Sequence, residues 1–274
     1  MTGKSSPERG PVPKRTVRRS AVRQKPRAEG FSKVPELVLL FWVIKVAATT
    51  LGETAGDMVS MSMNLGYLVG TLIFAVIFAG AVFYQIRAAK FHPVVYWFTI
   101  IATTTVGTTL ADFADRSLGI GYAGGSSILL CLLLGSLFVW HRTLGSVSIN
   151  TVSGPKSEMF YWLTIMFSQT LGTALGDWTA DTEGLGYLGG ATIFILLLAV
   201  VAGLYFWTKV NRTFLFWGAF ILTRPLGAVL GDFLDKPLDH GGLNLSRYAA
   251  SAVLVLFITA CIFFFPHRAA KKSH

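Results

Sequence analysis

The chain has 274 residues, of which 53% are hydrophobic and only 14% are charged. Soluble domains carry about 25% charged residues, so this composition excludes an ordinary soluble protein and favours a membrane protein. The formal net charge is +10, but ten of the 24 Lys and Arg residues lie between residues 4 and 33. The basic character therefore belongs mainly to one end of the chain.

The N-terminal segment, residues 1–34, combines this charge with several prolines and few apolar residues, which predicts disorder. Basic segments of this kind bind nucleic acid or anionic lipid. No aromatic residue lies among the charges between residues 4 and 27, so we expect no nucleic-acid partner. We expect an orientation signal that also tethers the chain to anionic lipid.

Eight apolar stretches of about 20 residues follow the tail, and each is long enough to cross a bilayer as a helix. Alternating patterns typical of barrel strands do not occur in them. The sequence therefore predicts an all-α membrane protein with eight transmembrane helices. The stretches are residues 36–57, 66–86, 93–113, 121–140, 159–178, 186–207, 213–233 and 246–265.

The links between the stretches alternate between basic and acidic, which predicts their orientation. The tail, the links at 85–92, 141–158 and 208–212, and the C-terminus carry Lys and Arg. On the other side, where the Asp residues are concentrated, the only basic residues are Arg116, Lys236 and Arg247. Both termini are therefore expected in the cytoplasm.

An internal repeat divides the chain into four units: residues 35–90, 91–155, 156–210 and 211–265, followed by a basic tail at 266–274. In every unit a Trp is followed ten residues later by Gly and fifteen residues later by Asp. Trp42 and Trp162 are 120 residues apart, as are Trp97 and Trp217, which indicates a duplicated pair of units. The matched triplets are Trp42–Gly52–Asp57, Trp97–Gly107–Asp112, Trp162–Gly172–Asp177 and Trp217–Gly227–Asp232.

Each unit has two helices, so all four units enter the membrane from the same side. This predicts parallel repeats related by an axis along the membrane normal, unlike the inverted repeats of many transporters. The second helix of a unit is expected to pack beside the first. The first helix carries polar residues at steps of three or four, so they share one face.

The polar faces should turn towards protein or a wet cavity, because polar groups in lipid are costly. If the four faces converge on one axis, the four repeat Asp residues lie at similar depth. Glu53 and Arg224 interrupt the repeat, and we expect them to form an ion pair. The candidate ion ligands are Glu53, Asp57, Asp112, Asp115, Asp177, Asp232 and Asp235, and the candidate path or charge-partner residues are Thr49, Thr104, Gln169 and Arg224.

Carboxylate and hydroxyl oxygens without thiols suit Mg²⁺, Mn²⁺ or Ca²⁺. Four adjacent carboxylates cannot all stay ionised without a cation, since like charges raise one another's pKa. The pattern therefore predicts either a cation site or a proton-sharing cluster. A structural role, in which the Asp residues cap or join helices, stays open.

The repeat resembles a bacterial membrane family described as four tandem two-helix repeats of unknown function, each with a recurrent Trp. The resemblance covers residues 35 to 265 and rests on the four Trp residues and the four Gly-x4-Asp elements. It implies an inner-membrane protein of bacteria, and it implies no particular substrate.

The sequence favours a transporter of a divalent cation, with Mn²⁺ as the leading candidate and the cation as substrate rather than cofactor. The alternatives are a proton-coupled carrier or channel for a small solute, and a non-transporting scaffold or sensor. Enzyme motifs such as G-x-S-x-G, H-E-x-x-H and phosphate loops do not occur, so we expect no enzyme. A homo-oligomer is compatible with these features, and the bilayer is the expected partner.

Overall fold

The computed structural model describes residues 32–182 and 185–270, so residues 1–31 of the N-terminal tail and residues 271–274 of the C-terminal tail lie outside the described residues. The predictions of disorder and of lipid tethering concern that undescribed part. The described residues form eight α-helices in four tandem units, as the repeat predicts. The helices are α1 Leu39–Asp57, α2 Gly66–Arg87, α3 Pro93–Asp112, α4 Tyr122–Leu144, α5 Pro155–Asp177, α6 Gly186–Trp207, α7 Arg212–Asp235 and α8 Arg247–Phe264.

Six of these helices (α2, α3, α4, α6, α7 and α8) are long and apolar enough to cross a membrane, as expected of a multi-pass membrane protein. The other two, α1 and α5, carry more polar residues, including Lys45 and Glu53 in α1 and Glu158 and Gln169 in α5. They are the first helices of units one and three, and they have the same place in the fold as α3 and α7.

The four first helices form an inner ring in which α1 contacts α3, α3 contacts α5, α5 contacts α7, and α7 contacts α1. At one end their Trp residues pack on aromatic residues of the neighbouring inner helices, and at the other end ion pairs join their Asp residues. The inner helices are therefore parallel, as predicted. We call the two ends of the ring the Trp end and the Asp end.

Each outer helix packs mainly against the inner helix of the following unit, so the expected packing beside its own partner is wrong. Helix α2 packs on α3, α4 on α5, α6 on α7, and α8 on α1. Small and hydroxyl side chains permit this close approach: Gly70 of α2 lies against Thr109 of α3, and the Ser251 and Thr54 hydroxyls are 2.9 Å apart. The contact between α8 and α1 closes the circle.

Aromatic side chains close the Trp end of the inner ring. In every unit an aromatic residue stands directly before the repeat Trp. The Trp of the next unit packs on this residue, and in the closed ring the Trp of unit one packs on the aromatic residue of unit four. The Tyr96 and Tyr161 hydroxyls are also hydrogen-bonded at 2.7 Å within this cluster. The ring-centroid distances are 5.4 Å for Trp97–Phe41, 5.7 Å for Trp162–Tyr96, 6.3 Å for Trp217–Tyr161 and 6.1 Å for Trp42–Phe216.

The two ends of the described chain are joined beside the Trp end. Pro35 pairs with Ala269 in an antiparallel bridge, and Ser32 donates a hydrogen bond to the Ile149 carbonyl. Lys33 forms a 2.7 Å ion pair with Glu158. Residues 32–34, which the sequence assigns to the tail, are therefore buried parts of the fold.

Candidate ion-binding site

Repeat glycines set the spacing of the inner helices. A Cβ atom built at any of the four would lie 3.0 Å or closer to the next inner helix, so a larger residue would force the neighbouring atoms to shift. The residue that this Cβ atom would contact always lies seven positions after the Trp of the following unit. These four contacted residues form one level of the ring, which we call the arginine level. The contacts are Gly52 with Thr104, Gly107 with Gln169, Gly172 with Arg224 and Gly227 with Thr49.

Two further levels follow towards the Asp end, one and two helical turns beyond the arginine level. They consist of the residues eleven and fifteen positions after each repeat Trp. In the nearer of the two levels, Gly56 lies against Thr108, Gly176 against Ala228 and Gly231 against Glu53. We call this the glutamate level, and the next one the aspartate level. The glutamate level is Glu53, Thr108, Thr173 and Ala228, and the aspartate level is Asp57, Asp112, Asp177 and Asp232.

The side chain of Arg224 reaches from its own level into the glutamate level. Its Nη2 atom lies 3.0 Å from Glu53 Oε2, 2.6 Å from Thr108 Oγ1 and 2.5 Å from Thr173 Oγ1. It thus contacts the three polar members of that level, each on a different helix. The predicted pair of Glu53 and Arg224 is present, with side chains only 4% and 0% exposed.

Two basic side chains bridge the four Asp residues in pairs. Lys236 Nζ lies 2.7 Å from Asp57 and 3.0 Å from Asp232. Arg116 lies 3.1 Å from Asp112 and 3.2 Å from Asp177 through two of its nitrogens. Each cation therefore joins the Asp of its own unit to the Asp of the next, and supplies a positive charge that four adjacent carboxylates need.

Lys236 follows the last residue of α7 and is held as a cation by its neighbours. Burial alone would lower the pKa of its ammonium group. The carboxylates of Asp232, Asp57 and Asp235 outweigh this effect and raise the pKa well above its usual value. The ammonium group therefore stays protonated at neutral pH.

Within the described residues, only one of the two bridged Asp pairs has a third carboxylate beside it. Glu53, Asp57 and Asp232 each offer an oxygen, and these three oxygens lie within 4.8 Å of one another in a buried group. At the position equivalent to Glu53, the opposite half has Thr173 beside Asp177. Three hard oxygen ligands on one side of the ring can hold a divalent cation.

Asp115 and Asp235 lie one turn beyond the aspartate level, near the start of the outer helices. Asp235 pairs with Arg247 at 2.5 Å, and an oxygen of Asp115 lies against Gly125 of α4. The seven predicted ligands are therefore spread over several groups in the structure. The four predicted path residues do lie together, because they make up the arginine level.

Sequence reasoning missed the roles of Arg116 and Lys236, which it treated only as exceptions to the charge pattern. A signal was available, because these two residues are 120 residues apart, like the duplicated Trp and Asp positions. The aromatic residues that precede each Trp were missed as well. They stand at the same place in all four units as Phe41, Tyr96, Tyr161 and Phe216.

Comparison with known proteins identifies the repeat. The family model described as Repeat of Unknown Function (DUF347) matches four consecutive segments, residues 40–91, 95–146, 160–211 and 215–269. Each match spans one inner helix and the outer helix that follows it. No curated protein and no solved structure matches the chain.

Proposed function

The chain belongs to the family of the Repeat of Unknown Function (DUF347), and we propose that it is an integral membrane transporter of a divalent metal ion. Mn²⁺ is the first candidate substrate, because hard oxygen ligands suit Mn²⁺, Mg²⁺ and Ca²⁺. The proposal places the protein in a bacterial inner membrane with both termini in the cytoplasm, as the distribution of Lys and Arg predicts.

The observation that carries the proposal is the group of Glu53, Asp57 and Asp232. Their oxygens lie within 4.8 Å of one another, and the residues come from two different helices, α1 and α7. Buried carboxylates in a membrane protein are costly and commonly belong to ion pathways. A ligand set shared between two helices also lets an ion respond to a change in their separation.

Arg224 and Lys236 act in this proposal as internal counter-ions. Lys236 contacts two of the three carboxylates and Arg224 contacts the third. A metal ion and these two basic groups would compete for the same oxygens. Binding therefore requires the ammonium and guanidinium groups to move away, and release is assisted when they return.

The test measures Mn²⁺ flux into proteoliposomes that contain the full chain. Asp57→Asn and Asp232→Asn should each abolish most of the flux, because each removes one of three charged ligands. Asp112→Asn and Asp177→Asn are the matched controls. They change the Asp pair that Arg116 bridges, which has no third carboxylate beside it in the described part of the chain, and they should keep most of the flux. Equal flux in all four variants and the wild type would contradict the proposed site.

The same group also suits a proton-coupled carrier, because Glu53 contacts a hydroxyl group and a guanidinium group inside the bundle. The donor in one contact is Thr108 Oγ1, 3.2 Å from Glu53 Oε2. Solute flux that follows a pH gradient without added metal would favour this function over metal transport. A scaffold, by contrast, would lose its partner on deletion of residues 1–30, whereas a transporter would keep its flux.

A further inference from the structure

A second buried cation lies on the Trp side of Arg224. Lys45 is fully buried, and its Nζ atom lies 3.5 Å from Gln169 Oε1 and 4.2 Å above the centre of the Phe220 ring. The residues at the Lys45 position in units two and three are Ile100 and Ile165, which are also fully buried. Within the part of the chain that the structure describes, no carboxylate forms an ion pair with Lys45.

Several hydrogen-bond donors of the arginine level have no partner among the described residues. These are Arg224 Nε, Arg224 Nη1 and Gln169 Nε2, and the Thr104 hydroxyl is unpartnered too. All three side chains are 0% exposed. Buried donors normally find a partner, and a buried polar group without one is destabilising.

The described part of this region also holds two basic groups beside a single carboxylate. When Lys45 is protonated, it and Arg224 carry two positive charges, and Glu53 supplies one negative charge on the Asp side of Arg224. The four Asp residues lie further away and are bridged by Lys236 and Arg116. A protonated Lys45 therefore leaves one positive charge without a counter-ion in the described structure between the arginine level and Lys45, where burial makes an unpaired charge costly.

We propose that this region binds a small monovalent anion, held by Lys45, Arg224, Gln169 and Thr104. The four side chains offer ammonium, guanidinium, amide and hydroxyl donors from four different inner helices, α1, α7, α5 and α3. A single negative charge neutralises the excess positive charge, whereas a divalent anion would reverse it. The repeat glycines hold the inner helices in close contact, so the proposal is limited to a small anion, and chloride is the one tested.

The anion site shares Arg224 with the proposed metal site, but Lys45, Gln169 and Thr104 lie on the Trp side of Arg224 and are not metal ligands, so the anion can be tested without metal. The test therefore uses chloride alone, with EDTA present to remove divalent ions. The detergent-purified full chain is heated in sodium chloride or in sodium gluconate at constant ionic strength. Chloride should raise the melting temperature in a saturable way, and gluconate, which is too large, should have no effect.

Lys45→Met should weaken the effect of chloride by about tenfold or more, because it removes a charge-assisted contact. Gln169→Leu and Thr104→Val should weaken it less, and they keep the test decisive if Lys45→Met does not fold. Lys209→Met is the matched control, since Lys209 is exposed in the link before α7. That variant should respond to chloride like the wild type.

Binding of radioactive chloride to the purified chain gives an independent readout, with one ion expected per chain. A melting temperature that does not depend on the anion, or an unchanged chloride response in all three site variants, would overturn the proposal. Loss of Mn²⁺ flux in Asp57→Asn with an unchanged chloride response is expected. An absence of Mn²⁺ flux in the wild type would contradict the proposed metal transport and would not change the conclusion drawn from chloride binding.

Discussion

Arg224 and Glu53, in the last and first units of the chain, lie 3.0 Å apart in the interior of the inner ring. Both side chains are removed from water and lipid, and the guanidinium group also contacts hydroxyls from units two and three. One ion pair therefore joins all four inner helices at a single level. Its two members depend on each other, because each would otherwise be a buried unpaired charge.

Glu53→Gln is expected to destabilise the protein by about 3–5 kcal/mol, since it keeps the shape of the side chain but leaves Arg224 unpaired. The unfolding free energy of the detergent-purified protein measures this loss. Glu36→Gln, at an exposed position before α1, is the matched control and should change stability little. Equal stability of the two variants would show that the pair does not hold the ring together.

Gly227→Ala should destabilise the fold, because the added methyl group would collide with Thr49 of α1. Overpacking of this kind costs about 1–3 kcal/mol. Gly80→Ala is the control, since no neighbouring atom lies within 4 Å of a Cβ at that position in α2. Gly80→Ala should be neutral or slightly stabilising, because Ala favours helix more than Gly. Similar effects at both positions would argue against close contact between α7 and α1.

Lys236→Met should make the stability of the protein depend on divalent metal. Without the ammonium group, Asp57 and Asp232 lose their shared counter-ion and repel each other. Mn²⁺ should then raise the melting temperature of this variant more than that of the wild type. Arg116→Met is the matched change at the other bridged pair, where Thr173 replaces the third carboxylate, and should gain a smaller response to Mn²⁺. The reverse order would place the metal on the other half of the ring.

A disulfide should form between Cys residues introduced at Ser251 and Thr54, whose hydroxyl oxygens are 2.9 Å apart. This pair tests whether α8 packs on α1 and closes the circle. The native Cys131 and Cys261 are first replaced by Ser, so that only the new pair can react. Ser251→Cys with Thr109→Cys is the control, because Thr109 has the same place in α3 as Thr54 has in α1. Cross-linking of the control pair alone would contradict the described order of helices.

The sequence predicted the features that depend on one helix or on one unit. Length and hydropathy located the eight helices, and the fixed spacing of Trp42, Gly52 and Asp57 in all units predicted parallel inner helices. The pair of Glu53 and Arg224 was predictable because charges inside a membrane need partners. In each case the physical cause acts locally or through the repeat itself.

Which inner helix each outer helix packs on could not be predicted in the same way. Every unit has similar surfaces, so the pattern of a single outer helix is equally compatible with packing on its own inner helix or on the next one. The bridging by Lys236 and Arg116 was missed for another reason. These residues lie next to helix ends, where they count as link residues in a hydropathy pattern, and only the fold turns them back towards Asp57 and Asp112.

The packing of each outer helix on the following unit has a consequence for how such a protein can be assembled from parts. A chain that contained only units one and two would leave α4 without the surface of α5, and α1 without its cover from α8. Two such half-length chains could complete each other by exchanging these helices, in the manner of a domain-swapped dimer. The 120-residue offset is close to the length of such a half, so fusion of two copies of a half-length chain would produce both the duplicated sequence and the closed circle.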